Sequence, residues 1–257
     1  MNPSAALTCM EENLSGYQAR MASQLRDTWT VRTGNLCATY LGIPHVMFNS
    51  ILRSNLNRAE AELIVSRFEL YEMPWGWFVS STSADHTPSM LDDLGFVRSF
   101  EMPNMARDLR ANPVEKEESG LRIERVGNPQ GFHTFLDIVL ATFKETSGLG
   151  ASLSKAQNGL GYSDQHSIQN FVGYEGDTPV CTATSFVNEG VVGIYAVATT
   201  EQFRGKGYGG AITTHCMSWG QTRGARLAVL QASKMGLPVY QRLGFEDVGP
   251  SAVYIKP

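Results

Sequence analysis

The segment from Gln202 to Gly210, Gln-Phe-Arg-Gly-Lys-Gly-Tyr-Gly-Gly, has the residue types of a site for a phosphorylated ligand. Gly205, Gly207, Gly209 and Gly210 fall within six positions. Glycine lets a backbone adopt positive φ and approach a ligand closely. The segment lies between a strand-like run and a helical pattern reaching about Thr222. A helix beginning there turns its free N–H groups and positive dipole end toward the loop. Together these features suit a pyrophosphate. The Gly-Lys-Ser/Thr of a Walker loop is missing, and the glycine spacing differs from G-x-G-x-x-G. Between Arg204 and Arg242 the cations are Arg204, Lys206, Arg223, Arg226, Lys234 and Arg242, with no Asp or Glu. The formal net charge is −4, so this basic stretch is a local bias that favours a polyphosphate.

A second constellation follows: Leu230-Gln231-Ala232-Ser233, then Val239-Tyr240-Gln241-Arg242-Leu243-Gly244-Phe245. Arg204-x-x-Gly207-x-Gly209 resembles the R/Q-x-x-G-x-G/A signature of the GNAT superfamily of N-acetyltransferases. The later segment resembles that superfamily's last motif, a strand followed by a helix carrying Tyr and then L-G-F. The order and spacing of strands from Leu121 onward agree, so the resemblance covers roughly residues 121–257.

The resemblance implies acetyl-CoA as co-substrate and a primary amine of a small molecule or peptide as acceptor. Arg204, Gly205, Lys206, Gly207, Tyr208, Gly209 and Gly210 would hold the pyrophosphate. Backbone groups of Val197, Ala198 and Thr199 would bond the pantetheine amides, and the Val197 N–H would polarise the thioester carbonyl. A bulge in that strand would splay it from its neighbour and open a slot; nothing in the sequence marks one. Tyr240 would hydrogen-bond the sulfur as charge develops on it. Ser233 would either bond the pantetheine or cap the following helix.

The general base is a gap. The strand before the loop offers Gly193, Ile194 and Tyr195 but no carboxylate, where many relatives carry Glu. Glu189 lies in the preceding hairpin and reads as a solvated turn residue. Tyr195 is open to two roles, a relay through water or a buried aromatic; His215 and Cys216 read as structural. The missing carboxylate motivates an alternative function, a non-catalytic acyl-CoA-binding regulatory module.

The elements that must position these residues are legible in outline. Leu121–Val126 reads as a strand and Pro129–Lys144 as an amphipathic helix. Ile168–Tyr174, Pro179–Phe186 and Val191–Ala198 read as an antiparallel meander joined by Glu175-Gly176-Asp177 and Asn188-Glu189-Gly190. Arg226–Gln231 is a strand and Leu237–Leu243 a short helix. Phe245–Val248 and Ala252–Ile255 read as two further strands. The fold class is therefore α/β in the α+β sense, a mostly antiparallel mixed sheet flanked by helices.

Toward the N-terminus, helices are expected over Thr8–Asp27 and Leu56–Tyr71, and strands over Leu36–Leu41, His45–Asn49 and Trp75–Ser80. A short helix opens at Thr87-Pro88. Ser89-Met90-Leu91-Asp92-Asp93-Leu94-Gly95-Phe96 resembles Pro238–Phe245, which suggests a worn second copy of the same fold. That copy lacks R-x-x-G-x-G and has Leu91 where the other has Tyr240, so it is expected neither to bind CoA nor to catalyse. The polar stretch from Arg107 to Gly120 reads as a linker. The expected organisation is a degenerate GNAT-like domain over 1–106, a linker over 107–120 and an acetyl-CoA-binding domain over 121–257.

Composition excludes little but is consistent. The chain has 257 residues, 42% hydrophobic and 18% charged, ordinary for a globular protein. Its acidic balance argues against nucleic acid as a partner. The four cysteines lack metal-ligand spacing, so no metal is expected. No apolar run approaches the ~18 residues of a membrane span, and no signal peptide is evident. A cytoplasmic location is expected, and a homodimer is left open.

Overall fold

The computed structural model describes residues 1–110, 114, 120–144 and 147–257. The N-terminal half runs α1 (Pro3–Ala22), β1 (Trp29–Arg32), β2 (Leu36–Tyr40), β3 (Asn49–Ser54), α2 (Arg58–Glu69), β4 (Gly76–Val79), α3 (Thr87–Asp93) and β5 (Val97–Asp108). The C-terminal half runs β6 (Arg122–Arg125), α4 (Pro129–Phe143), α5 (Ser147–Leu160), β7 (Ile168–Glu175), β8 (Thr178–Asn188) and β9 (Val191–Thr199). A short 3-10 turn over Glu201–Phe203 leads to α6 (Tyr208–Gln221), β10 (Leu227–Gln231), α7 (Leu237–Arg242) and β11 (Glu246–Ile255).

The chain forms two compact units, residues 2–104 with 247–257 and residues 105–246. The first is a mixed sheet in the order β1-β2-β3-β4-β11-β5. Its core includes Ile51, Phe68, Trp77, Leu91 and Tyr254. The second has the order β5-β10-β9-β8-β7-β6. Its meander is antiparallel, whereas β10 runs parallel to β9. On one face of that sheet α6 packs with Ile212, Cys216 and Met217 against Phe171, Val192 and Ile194. On the other, α4 packs with Phe132, Phe135 and Leu136 against Val172 and Ala198.

The units are interleaved because β5 passes from the first into the second, and β11 returns to pair with β4. The expected linker begins inside β5, which continues to Asp108. Residues 111–113 and 115–119 of that stretch lie outside the described residues.

The two halves repeat the same element order, β-β-β-α-β-α-β, from β1 to β5 and from β7 to β11. The match extends to backbone hydrogen bonds. Phe96 N donates to Leu91 O and Gly95 N to Asp92 O, each at 3.0 Å; Phe245 N donates to Tyr240 O and Gly244 N to Gln241 O, also at 3.0 Å. Gly95 and Gly244 carry φ of +82° and +76°, the left-handed turn that ends each short helix.

Several elements differ from the sequence expectation. The third strand is Asn49–Ser54 rather than His45–Asn49. His45–Phe48 instead forms a turn, and Asn49 anchors it by donating to Ile43 O and Pro74 O. The two expected C-terminal strands are one strand, β11, running through Gly249-Pro250. Helix α5 is unanticipated, since Gly148, Gly150 and Gly159 lower its intrinsic propensity. Packing overrides that cost: a Cβ on Gly150 would stand 2.8 Å from Leu140 Cδ1 of α4, so glycine permits the close approach. Among the described residues no helix is long and apolar enough to cross a membrane.

Candidate functional site

The parallel pair β9–β10 is short. Its register covers Val191↔Leu227, Val192↔Ala228 and Gly193↔Val229, while β9 continues to Thr199 and β10 to Gln231. Beyond Gly193 the two strands present backbone edges that need other partners. The cause is a bulge in β9. Thr182 pairs with Ala198 and Thr184 with Tyr195, so Ala196 and Val197 together oppose Ala183. Ala196 has φ +49°, in the left-handed region. The bulge exchanges the faces of the strand. Val192 and Ile194 point toward α6, but after the bulge Ala198 points toward α4 and Val197 packs on the α6 side.

At the far end of this opening lies the glycine-rich loop. Gly205 and Gly207 have φ of +80° and +82°, values that Cβ-bearing residues rarely adopt. Gly207 is the N-cap of α6, so no side chain occupies the first N–H groups of the helix. A helix start without a side-chain cap leaves those donors for an anion. Arg204, Gly205, Lys206 and Gly207 are exposed, Gly209 is half-buried, and Tyr208 and Gly210 are buried. The Arg204 guanidinium donates to Thr199 O at 3.2 Å, tying the loop to the end of β9.

The basic stretch read from the sequence divides. Arg204 and Lys206 stand at the loop. Arg223 lies beyond the other end of α6, about 20 Å away by helix length, where its guanidinium sits 4.0 Å from the Trp219 ring centroid. Arg226 lies beside Gly190 of the β8–β9 turn, at the same end.

Tyr240, on α7, is 7% exposed and packs edge-on against Phe245, with ring centroids 6.0 Å apart. Burial pushes its phenol up to about 12, with nearby Cys216 adding to the effect. It is therefore a neutral hydrogen-bond donor at any physiological pH. Its ring needs Gly236, where a Cβ would stand 2.8 Å from Tyr240 Cε2. Ser233 is exposed, and its Oγ accepts from Gly236 N at 3.1 Å. This contact closes the turn that leads into α7, whose N-cap is Gly236 and which has no side-chain cap.

The other residues weighed for acid–base work are distributed along the strand. Glu189 is exposed in the β8–β9 turn with φ +49°. It is seven residues before the bulge, about 20 Å at strand rise. Tyr195 is half-buried directly before the bulge. His215 is on α6 with its ring 4.7 Å from that of Phe171. Burial pushes the Cys181 and Cys216 thiols up to about 12, which suppresses thiolate nucleophilicity. Among the described residues no group of His, Cys, Asp and Glu could hold a metal ion.

Two residues not singled out in the sequence belong to this region. Glu175, at the end of β7, accepts from Lys206 Nζ at 2.8 Å and from the Tyr208 hydroxyl. These bonds hold its carboxyl below the usual range. Thr182, fully buried on β8, donates through Oγ1 to Ala196 O at 3.1 Å, directly at the bulge. Neither carries a sequence motif: Glu175 acts by bonds from β7 to the loop and α6, and Thr182 by a bond from β8 to β9.

The corresponding place in the N-terminal unit is built differently. There β3 and β4 also run parallel, paired at Ser50↔Gly76 and Ile51↔Trp77. Past that point the Trp77 indole, fully buried, donates to Ser54 Oγ at 2.8 Å and bridges the two strands. Only Asn55, Leu56 and Asn57 join β3 to α2. Asn57 caps α2, accepting from Glu60 N at 3.1 Å, while Glu60 accepts from Asn57 N at 2.9 Å. This capping box occupies helix N–H groups that the Gly207 cap of α6 leaves open.

Comparison with known proteins agrees with this geometry. Residues 133–245 match the Acetyltransferase (GNAT) family. A GCN5-related N-acetyltransferase from Kribbella flavida superposes with a TM-score of 0.71 at 17% identity, covering 95% of each chain. A putative GNAT-family acetyltransferase from Novosphingobium aromaticivorans gives 0.57 at 14% identity, covering 96% of each chain. A tandem GNAT protein from the clavulanic acid biosynthesis pathway gives 0.60 at 11% identity, covering 95% of this chain and 94% of its own. No curated protein sequence matches. Residues 133–245, which contain the bulged strand pair and the glycine-capped helix, match the GNAT family, within a chain whose fold is similar to that of solved GNAT proteins.

Proposed function

We propose that this protein transfers an acetyl group from acetyl-CoA to a primary amine of a small molecule or peptide. The observation that carries the reading is the opening of β9 from β10 beyond Gly193, ending at an anion site capped by Gly207. The pyrophosphate would lie on N–H groups of residues 205–210, beside Arg204 and Lys206. Backbone groups of Val197, Ala198 and Thr199 would bond the pantetheine amides. The Val197 N–H, beside the bulge, would donate to the thioester oxygen as negative charge develops there. Tyr240 would donate to the sulfur as the thiolate departs. A phenol near 12 is a weaker acid than a thiol near 8.5, so it stabilises the thiolate as a donor and is not itself consumed.

The inactive counterpart is the N-terminal half, whose anion site is closed by Asn57 and whose strand gap is bridged by Trp77. Calorimetric titration with acetyl-CoA tests the reading. One site per chain, with thiol release on adding an amine panel, is expected; no binding overturns it.

A second reading, a non-catalytic acyl-CoA-binding module, is favoured by one observation. Among the described residues β9 carries no carboxylate, and Glu189 lies at the wrong end of the strand. An α-amino acceptor, with a pKa near 8, is compatible with either reading because it needs little help to lose its proton. Tight binding without turnover across the panel supports the module; measurable transfer excludes it.

A further inference from the structure

We infer that Thr182 is the positioning residue that holds the acyl-CoA slot open, by pinning the carbonyl of Ala196 in the β9 bulge. The inference rests on the acyl-CoA reading above. Its own support is geometric.

Thr182 is fully buried in the centre of β8, where an apolar residue would serve packing equally well. Its hydroxyl spends its proton on Ala196 O, 3.1 Å away. That carbonyl belongs to the residue whose left-handed φ of +49° makes the bulge. An alanine in this conformation is strained, and such strain persists only where the surroundings impose it. The register places the pin at the right spot. Thr182↔Ala198 is the first pair after the bulge and Thr184↔Tyr195 the last before it. With the Ala196 carbonyl held, the next N–H, that of Val197, is fixed in direction. Without the pin, β9 can relax toward a regular ladder. Val197 would then turn its N–H back toward β8, and the edge facing β10 would close. Thr182 touches no substrate in this account and acts through the backbone of Ala196 and Val197.

The loop has anchors that do not involve Thr182 or Ala196, Arg204 on Thr199 O at the end of β9 and Lys206 on Glu175. Loss of the pin should therefore affect ligands that reach along β9 and spare those that end at the pyrophosphate. Thr182→Val removes the donor at nearly constant shape; Thr182→Ser restores it. Titration of wild type, T182V and T182S with acetyl-CoA and with 3′-phosphoadenosine 5′-diphosphate, the fragment that lacks pantetheine, tests this.

The expected result is acetyl-CoA affinity at least about tenfold weaker in T182V, fragment affinity unchanged, and both near wild type in T182S. Equal loss of both ligands in T182V would show general damage to the unit and overturn the inference. So would wild-type acetyl-CoA affinity in T182V. Failure of the wild type to bind acetyl-CoA is a different result, since it removes the acyl-CoA reading itself.

Discussion

Tyr240 is a neutral donor because it is surrounded by the buried side chains of its unit, and that fixes what its removal should do. Tyr240→Phe keeps the ring packing against Phe245 and Gly236. It should lower kcat about 10- to 100-fold, the worth of one hydrogen bond to a developing charge. The dissociation constant for acetyl-CoA should change little. Stopped-flow turnover beside calorimetry separates the two quantities, and equal loss in both would assign Tyr240 to binding. Gly209 offers a converse test at the loop. A Cβ there would meet only Thr199 Oγ1, at 3.7 Å, an ordinary contact. Gly209→Ala should therefore fold at least as well as wild type, since Ala gains roughly 0.5–1 kcal/mol over Gly within a helix. The added methyl would stand where a pyrophosphate must approach. Thermal melting should be unchanged or raised while acetyl-CoA binding is lost; retained affinity would move the anion site elsewhere.

At the scale of an element, α1 buries a titratable group against its sheet. Glu11 is 3% exposed, and its Oε1 accepts from Ser80 Oγ at 2.8 Å and Thr82 Oγ1 at 2.7 Å. Its Oε2 is buried without a hydrogen-bond partner. Burial, the main cause, carries its carboxyl up to about 7 from the ordinary 4.5. The nearest charges are Arg53, which opposes the shift, and Glu12, which adds to it. Between those two pH values the folded state holds a proton that the unfolded state has released. Stability therefore falls as pH rises through this window, by on the order of 3 kcal/mol in total. Urea unfolding at pH 4.5 and pH 8 should show the decline in wild type and a shallower one in Glu11→Gln. Identical slopes would mean that Glu11 is ionised in the fold. Helical spacing already sets Glu11 on the face of Leu7 and Leu14, four and three residues away, but the partners its carboxyl finds there, Ser80 and Thr82, lie 69 and 71 residues on and are supplied only by the tertiary structure.

For the whole molecule, the interleaved units predict which fragments can fold. Met105 and Leu109 of the β5 segment lie in the same core as Ile212, Tyr240 and Phe245. Strand β11 pairs instead with β4, at Ala252↔Val79, Val253↔Phe78 and Tyr254↔Trp77. A fragment of residues 121–257 therefore lacks a strand of its own core and carries one that belongs with the N-terminal residues. A fragment of residues 104–246 contains one complete unit. Circular dichroism and acetyl-CoA titration should find the second folded and binding, and the first unfolded or aggregated. A folded, binding 121–257 fragment would show that the strand exchange is dispensable.

What the amino-acid sequence by itself determined is local. Positive-φ turns favour glycine, so Gly205, Gly207 and Gly244 mark their places without any partner in space. The alternating runs of the meander and the spacing from the loop to Tyr240 are likewise set by residues close together in the chain. The tertiary structure decided what depends on strands meeting. The bulge at Ala196 is invisible in the run Val191–Thr199, because a left-handed alanine is imposed by the pairing with β8 and by the Thr182 hydroxyl. The Glu175–Lys206 pair joins residues 31 positions apart. The exchange of β5 and β11 follows from which sheet edge each strand finds, and hydrophobic alternation is satisfied equally by either edge.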